Sequence, residues 1–217
     1  MKIHGAIFDM DGTLIDSMYV WKDIGSRYLR YLGYEPPENL NEAISNMSMQ
    51  QVCDYFTQTI GLARTPRQIS EEINAMVEPI YENEIGLKAG VATLLEKLSS
   101  MGVKMCVATA TDMHIVEAVL KNCGIRHYFS EIFTCTSVGA GKDNPLIYER
   151  ALELLGTEKK YTPVFEDALY AAKTAKAAGF PVIGIYDSYS ASEQEKIKAL
   201  SDCYITDYSS EIDSILA

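Results

Sequence analysis

Ile3-His4-Gly5-Ala6-Ile7-Phe8-Asp9-Met10-Asp11-Gly12-Thr13 sets a short apolar run directly against two carboxylates and a glycine. The run reads as a strand, and the polar residues behind it read as a sharp turn at its carboxyl end. Comparable runs, rich in β-branched residues, recur at Val103 to Ala108, Glu131 to Cys135, Thr162 to Phe165, Val182 to Tyr186 and Cys203 to Ile205. Most are followed by a segment of helical periodicity, the alternation that builds a parallel sheet covered by helices.

The long interval from Phe8 to Val103 breaks that rhythm. It holds only helical stretches, near Met18 to Leu32, Leu40 to Asn46, Met49 to Ile60 and Pro66 to Glu84. Turn-like separators stand between them: Gly33-Tyr34-Glu35-Pro36-Pro37 and Gly61-Leu62-Ala63-Arg64-Thr65-Pro66. The expected organisation is therefore an α/β core made of residues 1–14 and 89–217, with a helical domain inserted over residues 15–88. Gly86 and Gly90 fall at the return hinge.

Composition narrows the function. Of 217 residues, 19 are Lys or Arg and 30 are Asp or Glu, a formal net charge of −11. That balance argues against nucleic acid and against an anionic membrane as partner, since both demand fixed positive charge. With 47% hydrophobic and 23% charged residues the chain should fold around a core. The opening Met1-Lys2-Ile3-His4-Gly5-Ala6 lacks the apolar stretch of a signal peptide, so a cytoplasmic location is expected. The five cysteines include no Cys-x-x-Cys pair, and Cys106, inside an apolar run, reads as a small core residue. The three histidines are scattered, with no i, i+4 pair to suggest zinc.

In an open α/β sheet, ligands bind outside the carboxyl ends of the strands. Asp9 and Asp11 would repel one another in a partly dry site, and a divalent cation relieves that most simply; a plain Asp/Gly surface turn is the alternative. Thr109-Ala110-Thr111 offers a hydroxyl and backbone N–H groups to phosphate oxygens ahead of a helix starting near Asp112, and helix capping is its alternative. Lys142, in Gly139-Ala140-Gly141-Lys142-Asp143, does not form a Walker A loop and by itself reads as a solvated lysine. Glu166-Asp167 ends another strand, and Asp167 there serves equally as a helix cap.

Taken in order, Asp9-x-Asp11-Gly12-Thr13, Thr109, Lys142 with Pro145 and Tyr148 behind it, and Glu166-Asp167 resemble the four motifs of the haloacid dehalogenase superfamily, in the subfamily whose helical cap lies between motifs one and two. The resemblance implies a doubly wound, Rossmann-like core. It also implies a magnesium-dependent phosphatase acting on a small phosphorylated metabolite through an aspartyl-phosphate. Asp9 corresponds to the nucleophile and Asp11 to the general acid/base. Thr109, Ala110 and Lys142 correspond to phosphate binders. Asp9, Asp11 through its backbone carbonyl, and Asp167 correspond to the Mg2+ ligands, with Glu166 a ligand or a neighbour of the ligands. Asp11 separates the chain from true dehalogenases, which lack the second acid.

The resemblance leaves a second function open, a phosphosugar mutase like β-phosphoglucomutase. Ser17-Met18-Tyr19-Val20-Trp21-Lys22 has no histidine where such mutases place one, and this favours the hydrolase. The chain departs from its relatives at Asp143, where they usually carry Pro, and over Ala168-Leu169-Tyr170-Ala171-Ala172, where they commonly carry a Ser and a Gly. Tyr170 would narrow the site against bulky substrates. Substrate choice is expected from Met18, Tyr19, Trp21, Lys22 and the Ser45–Met49 turn, although aromatics at helical spacing also read as packing residues. A monomer or weak homo-oligomer is expected.

Overall fold

The computed structural model describes residues 2–44, 47 and 49–216. β1 (Gly5–Phe8) leads into the helical stretch: α1 (Met18–Trp21), α2 (Ile24–Tyr31), α3 (Leu40–Ile44), α4 (Met49–Tyr55), continued by a π turn over Phe56–Ile60, and α5 (Pro66–Asn83). The alternation then resumes with α6 (Val91–Ser100), β2 (Lys104–Thr109), α7 (Met113–Asn122), β3 (Phe129–Thr134), α8 (Cys135–Val138) and α9 (Leu146–Leu155). It closes with β4 (Val164–Glu166), α10 (Leu169–Ala177), β5 (Val182–Ile185), α11 (Gln194–Leu200), β6 (Cys203–Ile205) and α12 (Tyr208–Leu216). No helix among the described residues is long and apolar enough to cross a membrane.

All six strands run parallel, in the order β3-β2-β1-β4-β5-β6. This is the doubly wound, Rossmann-like arrangement, and the strand order reverses beside β1, where such sheets open a crevice at their carboxyl ends. Register sorts the side chains onto two faces. Ile7 lies opposite Cys106 and Val164, and Val164 opposite Val182. All four join one apolar cluster with Ile147, Tyr148, Ala151 and Leu155 of α9 and Ala172 and Ala175 of α10. Phe8, one position on, turns to the other face and stacks on Phe165 with ring centroids 4.2 Å apart. Each such fully buried large side chain contributes about 1.5–3 kcal/mol, so β1 is anchored from both sides before its polar end begins. Cys106 is one of these core residues, and burial, then the charge of Glu131, pushes its thiol pKa up and keeps it protonated.

The chain divides into two compact units, Ser17–Glu84 and the remainder. Within Ser17–Glu84, Tyr28 and Phe56 stack with centroids 5.8 Å apart, and Ile69, Ile73 and Val77 of α5 are buried at helical spacing. Thr65 starts α5 with a capping box: its hydroxyl accepts from the Gln68 N–H, and the Gln68 side chain accepts from the Thr65 N–H. Trp21 and Tyr28 pack inside this unit, whereas Tyr19 and Tyr31 are exposed and do not fit a packing role. Of the Ser45–Met49 turn, Ser45, Asn46 and Ser48 lie outside the described residues.

Among the boundaries that differ from the sequence expectation, the inserted unit runs over Ser17–Glu84 in place of residues 15–88, and three others have a local cause. The helix expected from Met18 breaks before Ile24, because Asp23 leaves the helical region (φ −131°, ψ 10°) and starts a new helix. The third strand starts at Phe129, whose ring is buried, and stops at Thr134, whose hydroxyl accepts from the Ser137 N–H to open α8. α10 is preceded by Ala168, not capped by Asp167. The Asp167 carboxylate is used elsewhere.

Candidate active site

The carboxyl ends of β1, β2 and β4 lie side by side and supply most of the site. Asp9 continues the β1 ladder by donating its N–H to the Phe165 carbonyl at 3.0 Å. The chain then folds back at once, with the Met10 carbonyl accepting from the N–H groups of Thr13, Leu14 and Ile15. Gly12 makes this possible at φ 76°, a conformation that strains any residue with a Cβ. Asp9 is left buried at the head of the turn, while Asp11 is half-buried and accepts from the Thr111 hydroxyl at 2.7 Å.

Lys142 arrives from a turn closed by Asn144 N–H donating to Gly141 O, just ahead of α9. Its ammonium is buried and donates to Asp9 Oδ1 and, at 2.6 Å, to Glu166 Oε1. Glu166 Oε1 also accepts from the Tyr148 phenol at 3.2 Å. Beside it, Asp167 Oδ1 accepts from the Thr13 hydroxyl at 3.1 Å and the Asp167 carbonyl from Ser190 Oγ at 3.1 Å.

These contacts leave three buried carboxylates, Asp9, Glu166 and Asp167, with one carboxylate oxygen of each within 4.8 Å of the others. The ammonium among them, Lys142, cannot neutralise all three. Burial pushes the Asp9 carboxyl up to about 7; Lys142 opposes this, while Glu166 and Asp11 add to it. Asp167 is raised well above the ordinary carboxylate range by burial first and then by Asp9, Glu166 and Asp187, with Lys88 opposing. For Lys142 burial works against the charged form, but Asp9 and Glu166 prevail and hold it well above the usual lysine value. An all-oxygen, net-negative cluster of this kind suits a hard divalent cation, whose charge would return the carboxyls to their ionised state.

Of the residues singled out in the sequence, Asp9, Lys142, Glu166 and Asp167 meet in this cluster, and Asp11 stands two residues from Asp9. Thr109 is fully buried, its hydroxyl accepting from the Thr111 N–H at 3.1 Å, and Ala110 is exposed at the head of that loop. Three partnerships are not legible in the sequence: Thr111 as the hydroxyl on Asp11, Thr13 as the hydroxyl on Asp167, and Asp187 as a charge near Asp167. Asp187 follows the apolar run of β5, and that place at a strand end is the signal that marks it in the sequence.

Fold and site together define a haloacid dehalogenase-like hydrolase, and the model of that family matches residues 6–185; the chain belongs to it. Among its relatives, the phosphorylated carbohydrates phosphatase of Thermotoga maritima is 24% identical, with 82% of each chain covered. The fructose-1-phosphate phosphatase YqaB of Escherichia coli is 25% identical over 83% of this chain and 95% of its own. The crystal structure of CbbY from Rhodobacter sphaeroides in complex with phosphate superposes with a TM-score of 0.84 at 23% identity, covering 96% of each chain.

Proposed function

We propose that this chain is a Mg2+-dependent phosphatase that hydrolyses a small phosphorylated metabolite of the sugar-phosphate class. The observation that carries the reading is the contact of buried Lys142 with Asp9, with Asp167 beside them and Asp11 two residues on. The relatives that act on phosphorylated carbohydrates support the substrate class. Residues 1–16 and 85–217 would form the catalytic core and residues 17–84 the cap that selects the substrate.

Asp9 attacks phosphorus, forming an Asp–O–P bond as the P–O bond to the leaving group breaks, and Asp11 gives its proton to the departing alkoxide. Asp11 then takes a proton from the water that attacks the phospho-enzyme, releasing inorganic phosphate and regenerating Asp9. Lys142 offsets charge on both Asp9 and the transferring phosphoryl group, and Thr109 with the N–H of Ala110 orients phosphate oxygens. Thr111 holds Asp11 by its hydroxyl until substrate competes for the carboxylate. Mg2+, held by Asp9, the Asp11 carbonyl and Asp167, with Glu166 at its margin, would supply electrophilic neutralisation of the phosphoryl oxygens.

A panel of phosphorylated metabolites, assayed for free phosphate with and without Mg2+, tests this. Release from sugar or polyol phosphates that stops with EDTA and returns with Mg2+ is the expected outcome. Equal release in thoroughly chelated enzyme, or none from any panel member, would overturn it.

A further inference from the structure

Lys88 follows the second boundary between the two units by a few residues, and its side chain is 18% exposed. It donates three hydrogen bonds, to Gly12 O at 2.7 Å, Tyr186 O at 2.8 Å and Asp187 Oδ2 at 2.9 Å. All three donors of the ammonium therefore have acceptors. One acceptor belongs to the turn after β1 and two to the loop after β5.

Both attachments lead to Asp167. The Gly12 carbonyl shares a peptide plane with the Thr13 N–H, which donates to Met10 O at 3.3 Å, so that peptide is gripped at both ends. Rotation of the plane would carry Thr13 with it, and the Thr13 hydroxyl is what holds Asp167 Oδ1. On the other side, Asp187 is fixed by Lys88 and by the Tyr189 N–H on Oδ1 at 2.8 Å. The Asp187 carbonyl accepts from Gln194 Nε2 at 3.1 Å, and the same Nε2 donates to Ser190 Oγ at 2.7 Å. Ser190 Oγ in turn donates to the Asp167 carbonyl.

We propose that Lys88 is a positioning residue for the metal site, a tie between the turn after β1 and the loop after β5 that sets both the carboxylate and the backbone of Asp167. The inference rests on Asp167 being a cation ligand, as argued above. Outer partners that orient a ligand typically alter metal affinity by about 10–100-fold when removed. Lys88→Met keeps most of the side-chain length and removes the tie. The double variant Lys88→Met/Asp187→Asn removes the tie without leaving Asp187 as a buried unpaired charge.

Titration calorimetry of the full chain with Mg2+ alone reads the effect. The wild type is expected to bind Mg2+, both variants to bind it at least about tenfold more weakly, and Lys88→Arg to recover part of the loss. A purely structural role would lower the melting temperature of Lys88→Met and leave the affinity of its folded fraction unchanged. A folded Lys88→Met protein with Mg2+ affinity within about twofold of wild type would overturn the proposal while leaving the site assignment intact. No Mg2+ uptake by the wild type would remove the site assignment and this inference with it. If neither variant folds, Lys88 serves the fold and not the site, and the proposal falls.

Discussion

As the proposed nucleophile, Asp9 would have to be ionised to attack phosphorus, yet its surroundings favour the proton. With a folded pKa of about 7 against an ordinary 3.8, the metal-free folded protein keeps a proton that the unfolded chain has released between those values. Stability must therefore fall as pH rises across that window, and Asp167, raised for the same first reason, acts in the same direction. Glu117 and Asp202, whose pKa values are lowered by their cationic partners against the opposing effect of burial, lose their contribution only at more acid pH. In EDTA, urea denaturation is expected to give a protein less stable at pH 8 than at pH 5 by up to about 3 kcal/mol from Asp9, with Mg2+ reversing the order. Metal-free protein that is more stable at pH 8 would contradict the charge balance described for the cluster. Asp9→Asn removes a charge from this crowded group while keeping its shape. It should abolish phosphate release and leave the pH 8 melting temperature of the metal-free protein equal or higher, since an amide is no nucleophile but also needs no counter-ion. Turnover near the wild-type rate in that variant would exclude Asp9 as the attacking group.

Elements place these residues, and it is at this scale that the sequence was most legible. Six apolar runs alternating with helical periodicity are a direct trace of a sheet buried on both faces, and polar residues at the ends of β1, β2 and β4 stand out against them. Partnerships were not legible. Thr111 meets Asp11 because β1 and β2 pair with Phe8 opposite Val107, a register that no local pattern states. The break before Ile24 is not legible for a different reason: Asp23 at a helix start and Asp23 within a helix have the same composition, and only tertiary packing chooses between them. Gly90, by contrast, was visible as a hinge glycine, and the structure gives it a second task. It starts α6 at φ 83°, and a Cβ there would lie 2.5 Å from Ser209 N and 2.7 Å from Tyr208 C, both backbone atoms of α12. Neither helix can yield cheaply, so Gly90→Ala should combine backbone strain with overpacking and cost about 2–4 kcal/mol. A urea midpoint unchanged in that variant would mean that α12 is not held against α6 in solution.

For the molecule as a whole, under the proposed mechanism the choice between hydrolase and mutase would turn on what reaches phospho-Asp9 first. A hydrolase lets water attack beside Asp11; a phosphosugar mutase holds water off until a sugar hydroxyl arrives, which demands a group that keeps the acid/base out of action in the meantime. The unit formed by Ser17–Glu84 contains no histidine, the three of the chain being His4, His114 and His127, all in the other unit. Thr111 engages Asp11 through a neutral hydroxyl, which competes only weakly with an incoming water or leaving oxygen. The net charge of −11 does not tip the balance, because at physiological ionic strength charges beyond about 8 Å are screened, and in the proposed reaction the phosphoryl group would face Lys142 and the cation instead. Given β-glucose 1-phosphate with Mg2+ and a trace of glucose 1,6-bisphosphate, the enzyme should form little glucose 6-phosphate. Any substrate it consumes should appear stoichiometrically as inorganic phosphate, followed by coupled dehydrogenase and phosphate assays on the same sample. Glucose 6-phosphate accumulating faster than phosphate would reverse the assignment and move the search for the gating group to the exposed side chains of α1 and its end, where Tyr19 and Lys22 stand nearest the chain's departure from the core.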